Sequence, residues 1–148
     1  MAVSLADILS ARRIIAGVAD GTPMAPSAYL SNRFDRDVLL KLETMQPIGA
    51  FKLRGAINAV ASLSGDTKGV TCCSTGNHGR AVAYAARRRG IPSLICMSDL
   101  VPETKRAGIR TLGAELRIVG TSQDDAMHEA ERLSREEGFA NISPFDDP

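Results

Sequence analysis

The chain has 148 residues, 44% hydrophobic and 24% charged, with a net charge of +1, the profile of a soluble globular domain. Near-neutral charge excludes an extended nucleic-acid footprint, and 4% aromatics without Trp leave no stacking platform for bases. No apolar run approaches the ~18 residues of a membrane span, and Asp7, Arg12 and Arg13 interrupt any signal-peptide pattern.

In chain order, Ser4 to Ala16 reads as a helix, with Ser4 as cap, Asp7 in the first turn and Gly17 at the end. Its apolar positions are Leu5, Ile8, Leu9 and Ile15. Thr22-Pro23 and Ala25-Pro26 then hold the chain extended. Asp37 to Glu43, containing Val38-Leu39-Leu40-Lys41-Leu42, reads as a strand. Pro47 with Gly49 is a turn signal, and a helical pattern follows. Leu53, Ala56, Ile57, Val60 and Leu63 recur on one face of it.

Beyond the turn cluster Ser64-Gly65-Asp66, strands and helices alternate. Strands are expected at 69–73, 93–97 and 115–119, with another beginning over 139–143. Helices are expected at 78–89, 102–112 and 122–137, the first two ended by Gly90 and Gly113, the third by Gly138. Pro102 suits a first helical turn. Asp124 and Asp125 complement the start of the last helix, and Ala126, Ala130, Leu133 and Glu137 run down one side. Such alternation predicts right-handed βαβ units and a parallel sheet, an α/β fold.

Cys72, Cys73 and Cys96 make an odd count with no C-x-x-C, and His78 and His128 are the only histidines. We read the cysteines as reduced core residues of a cytoplasmic protein, with no metal site. Arg87-Arg88-Arg89 reads as a solvated helix end, and His128 as a surface residue.

Two stretches carry chemistry. Lys52 opens the helix after Gly49, where unpaired N–H groups place partial positive charge. That charge, with partial burial, disfavours an ammonium. A neutral lysine is a nucleophile able to condense with an aldehyde. Read by itself, Lys52 is better taken as a solvated surface lysine near a helix start, no different from Arg54 beside it. Ser74-Thr75-Gly76-Asn77-His78-Gly79 follows a short apolar run and opens another helix. Ligands of open α/β sheets bind at such carboxyl ends of strands, and a helix N-terminus attracts anions. Asn77 and Thr75 also suit a plain helix cap.

Together, A-F-K-L-R-G-A around Lys52 and S-T-G-N-H-G from Ser74 resemble the fold type II pyridoxal-phosphate enzymes, in the threonine/serine dehydratase and serine racemase branch. The resemblance runs from Thr22-Pro23 to Phe145-Asp146-Asp147-Pro148, and Glu43 with Gln46 continues it ahead of the lysine. It implies a tryptophan synthase β-like fold, of which this chain is the N-terminal part. Residues 1–46 would belong to a large domain, 47–143 would form a small α/β domain, and 144–148 would begin the return to the large one. It also implies that Lys52 holds pyridoxal phosphate as a Schiff base, then takes the substrate α-proton. Phe51 would pack near the cofactor ring, or serve as an ordinary core residue. Asn77 would contact the ring hydroxyl. Ser74, Thr75, Gly76 and His78 would grip the substrate carboxylate.

Two residues depart from the family pattern. Ala50 stands where Ser is usual, and Thr75 stands where racemases carry Ser and many dehydratases Ala. The implied reaction is dehydration of a β-hydroxy amino acid such as threonine, serine or hydroxyaspartate to a keto acid and ammonia. A racemase, with Thr75 as a hydroxyl on the second face, is the alternative. A nucleotide-binding α/β module is a third reading, since Asp99 follows Gly79 at a fitting spacing. The implied partners are a small amino-acid substrate and, at full length, further copies of the chain. The family's glycine-rich phosphate loop is not in this sequence, so the 148 residues by themselves are expected to be catalytically silent.

Overall fold

A computed structural model of the chain describes residues 3–19 and 21–145. At the N-terminus, Ser4 and Asp7 form a reciprocal cap: the Ser4 hydroxyl accepts from the Asp7 N–H, and the Asp7 carboxylate accepts from the Ser4 N–H at 2.9 Å. This satisfies orphan donors and starts helix α1 (Leu5–Ile14). The helix buries no residue, and Leu5, Ile8 and Leu9 are exposed. Ile15 and Val18, just beyond it, pack on the core.

Strands β1 (Met24–Pro26) and β2 (Leu39–Lys41) pair antiparallel. The strand expected over 37–43 is therefore shorter, because the chain turns into a 3-10 turn at Glu43–Met45. Between the strands lies α2 (Ala28–Phe34), which the sequence reading missed. The signal was Pro26-Ser27, since the Ser27 hydroxyl caps the helix by accepting from the Leu30 N–H.

Helix α3 (Lys52–Ser62) buries Leu53, Ala56, Ile57 and Val60, the expected stripe. Gly49, at φ 72°, supplies the left-handed turn that aims the chain into it. The alternating units follow: β3 (Val70–Cys73), α4 (Asn77–Arg89), β4 (Ser93–Met97), α5 (Glu103–Arg110), β5 (Glu115–Ile118), α6 (Gln123–Arg132) and β6 (Ala140–Asn141). Pro102 stands just before α5 rather than inside it, with an extended ψ of 143°. The helix expected over 122–137 widens into a π-helical turn at Leu133–Glu137. That turn lets Arg132 reach Glu129, Glu136 and Glu137 together. β6 is short because only Ala140 and Asn141 pair with β3.

The second sheet is parallel throughout, in the order β5-β4-β3-β6. Every residue of β3 and β4 is buried, as strands covered on both faces must be. Side chains alternate between two cores. Val70, Cys72, Ile95 and Met97 join α3 and α4 on one face, while Cys73, Leu94 and Cys96 join Ala126, Ala130 and Leu133 on the other. The three cysteines are free and buried, and burial pushes the Cys73 thiol up to about 11. Arg89 is not the solvated residue expected. Its guanidinium donates to the carbonyls of Val60, Leu63 and Ser64, satisfying the orphan end of α3. Arg87, Arg88 and His128 are exposed. Among the described residues no helix is long and apolar enough to cross a membrane.

Candidate active site

The strand order creates the site. From β3 the chain runs outward to β4 and β5, then returns to place β6 on the other side of β3. Connections diverge there, and a crevice opens outside the carboxyl ends of β3 and β6. A cleft of about 290 Å³ lies in it, lined by Lys52, Phe51, Arg54, His78 and the segment Ile142–Phe145, among others.

Lys52 is the first residue of α3 and is half-buried. Its Nζ donates to the Pro144 carbonyl at 3.0 Å. Phe51 is 61% exposed, so its reading as a core residue is corrected. Its ring stands at the cleft beside the lysine, with Nζ 5.9 Å from the ring centroid.

The loop after β3 is built around Ser74. Its buried hydroxyl accepts from the N–H groups of Gly76 (3.3 Å) and Gly79 (2.9 Å). That arrangement starts α4 without a side-chain cap at Gly76, so neither Asn77 nor Thr75 is the helix cap. Asn77 is exposed at the first helical position, and Thr75 and Gly76 are half-buried. Gly79 allows close approach of helix to strand: a Cβ there would meet Ile95 at 3.1 Å and Ser74 at 3.3 Å. His78 is buried, and its Nε2 lies 2.9 Å from the Ile142 carbonyl. A carbonyl only accepts, so this nitrogen carries the proton.

Behind Lys52 lies a network that the lysine motif did not reveal. Arg54 grips the Glu43 carboxylate with two bonds, Nε at 2.9 Å and Nη2 at 2.8 Å. Thr22 and Gln46 also donate to that carboxylate, at 2.6 Å and 3.3 Å. Arg54 in turn donates to the Ala19 carbonyl. The Arg54 guanidinium, with these further donors, holds the Glu43 carboxyl down at about 2. The available signal was Glu43 with Gln46 ahead of the lysine. The second unforeseen feature is the pair of carbonyls at Ile142 and Pro144, and backbone oxygens leave no mark in residue types.

An open parallel sheet with a crevice at its carboxyl ends, and a lysine amine on the crevice wall, is the class of α/β fold that binds small ligands at that edge. The chain belongs to the pyridoxal-phosphate dependent enzyme family, whose pattern matches residues 15–148. It is 52% identical to the "Putative threonine dehydratase" of Sinorhizobium fredii, over 99% of this chain and 45% of that protein. The T.th. threonine deaminase structure superposes with a TM-score of 0.89 at 38% identity, covering 99% of this chain and 46% of that one. Maize serine racemase superposes at 0.90 with 30% identity, over 99% and 46%. The chain thus spans under half the length of these relatives. The fold is that of the fold type II enzymes, and the family replaces the reading as a nucleotide-binding module.

The residues present fit the family's cofactor. A primary amine lines an open cleft, an exposed aromatic ring stands beside it, and an exposed amide, Asn77, opens the neighbouring helix.

Proposed function

We propose that the chain carries the cofactor lysine and substrate loop of a pyridoxal-phosphate dependent ammonia-lyase. Its substrate is a β-hydroxy amino acid such as threonine, serine or hydroxyaspartate, and its products are a keto acid and ammonia. One observation carries the reading: Lys52 from the first motif and His78 from the second line a single cleft.

Pyridoxal phosphate supplies an electron sink for negative charge developing at the substrate α-carbon. Lys52 would hold the cofactor through Nζ, and the same nitrogen, when free, would take the α-proton. Phe51 would pack against the ring, and the Asn77 amide would meet its hydroxyl. The start of α4, with Thr75, Gly76 and the backbone of His78 rather than its imidazole, draws the substrate carboxylate by its helix-terminal charge. Ser74 uses its lone pairs on Gly76 and Gly79, and its O–H remains to donate to that carboxylate. Residues 1–46 belong with the large domain of the whole enzyme, 47–143 form its small domain, and 144–148 begin the return. Asp146 to Pro148 lie outside the described residues. The holoenzyme is a homo-oligomer of the cytoplasm, a reducing compartment that suits three free thiols.

A racemase is the second reading, supported by the half-buried Thr75 hydroxyl on the loop and by the likeness to maize serine racemase. Product analysis separates the two: keto acid and ammonia against an inverted amino acid. The common test is Lys52→Ala in the full-length protein. It should abolish both the visible absorbance and borohydride-fixed labelling. Labelling of Lys41, Lys68 or Lys105 in the wild type would overturn the assignment.

A further inference from the structure

We infer that His78 is a positioning residue for Lys52, acting through the backbone of residues 142–144. The inference rests on the proposed role of Lys52. Three bonds in series carry it. Ile142 N–H donates to the Thr71 carbonyl at 2.8 Å, which ties the end of β6 to β3. The Ile142 carbonyl accepts from His78 Nε2 at 2.9 Å. Two residues on, the Pro144 carbonyl accepts from Lys52 Nζ at 3.0 Å. The start of α4 is thereby linked to the start of α3 across the cleft.

Each part suits the task. β6 pairs with β3 through two residues only, so past Ile142 the sheet ladder no longer sets the direction of the chain. The buried imidazole sets it instead. Proline at 144 has its φ locked by the ring, which removes one of the two rotations that could swing its carbonyl away from the direction set by the preceding residues. That carbonyl holds the amine by one N–H and so fixes where the Nζ lone pair points; the amine can swing out to an incoming aldehyde only by giving up this bond. His78 therefore restrains the amine at the cleft wall through the strap.

This use of His78 differs from two simpler ones. An imidazole whose Nε2 proton is engaged by Ile142 does not offer that proton to a substrate carboxylate. A histidine that merely fills the core would affect stability and leave the reactivity of Lys52 alone.

The test uses the full-length enzyme stripped of cofactor. Pyridoxal phosphate is added, borohydride fixes what has condensed, and the rate of labelling at the Lys52 peptide is read by mass spectrometry. His78→Leu should speed capture at Lys52 about fivefold, the scale of losing one ordinary hydrogen bond from the neutral amine. His78→Gln, which keeps an N–H at similar reach, should stay within about twofold of wild type. An unchanged or slower rate in His78→Leu overturns the inference, as does a rise in KM for the amino acid with capture unaltered. If His78→Leu does not fold, Pro144→Gly decides, because it loosens the strap without touching the imidazole. Faster capture supports the inference, and an unchanged rate overturns it. Wild-type capture at a lysine other than Lys52 would instead overturn the proposed function.

Discussion

The segment before Lys52 and the parallel sheet after it are held by different forces. In the sheet, β3 and β4 are buried at every residue and form a core on each face. Over 3–46, among the described residues, only Ala19 and Gln46 are buried. Beyond the apolar contact of Ile15, Val18 and Ala19 with the core, what ties that segment to the sheet unit is polar: the Glu43 carboxylate gathers Thr22 and Gln46 from its own segment and Arg54 from α3. Apolar burial scales with area and tolerates no missing volume. A carboxylate network depends on charge, so pH controls it. The lysine sits where the two regimes meet, two residues before Arg54.

Three changes in the full-length protein should break or sharpen that contrast. The largest effect should come from Ile95→Ala, in the fully buried middle of β4. Deleting a buried aliphatic side chain costs ~2–5 kcal/mol, read as a lower denaturant midpoint. A cost under ~1 kcal/mol would mean the core relaxes into the gap.

Glu43→Gln should come next. The pair side chains are only 19% and 30% exposed, so the loss exceeds that of an ordinary surface ion pair. We expect ~1–3 kcal/mol from the charge-assisted bonds to Arg54. The pH dependence has a definite sign. Glu43 is lowered from 4.5 to about 2 in the folded protein, so its contribution is present above 4.5 and is lost as pH falls toward 2. Wild-type stability should therefore decline through that window more steeply than that of Glu43→Gln. Equal slopes would show that other carboxylates control acid unfolding.

Ser4→Ala should have the smallest effect. The cap is exposed, and its loss frees one end of a helix that buries nothing. Amide exchange should quicken about threefold across α1, the scale of a lost cap, and stay unchanged in β3 and β4. Quickening in the sheet as well would show that α1 is coupled to the core more tightly than its exposed residues imply.

The contrast also separates what could be read from the chain. Helix α3 and the units from β3 to β5 lie within a few residues of their expected bounds, because period, glycine stops and proline breaks are local. Helix α2 was lost because seven residues with exposed Tyr29 and Phe34 show no apolar stripe. Phe51 could be read as core from its residue type, yet it faces the cleft.

The sequence by itself determined the alternating α/β plan, the family and the two motifs, since each rests on residues close along the chain. Only the tertiary structure decided the order β5-β4-β3-β6, and with it the crevice between β3 and β6. It also chose the partners of the polar groups: Arg89 on the end of α3, Arg54 on Glu43, His78 on Ile142 and Lys52 on Pro144. Three of those four bonds end on backbone carbonyls, and every residue type carries one. Residue type therefore cannot mark which carbonyl a buried donor will find. Burial requires that the donor find one, and the packing of distant strands and helices selects it.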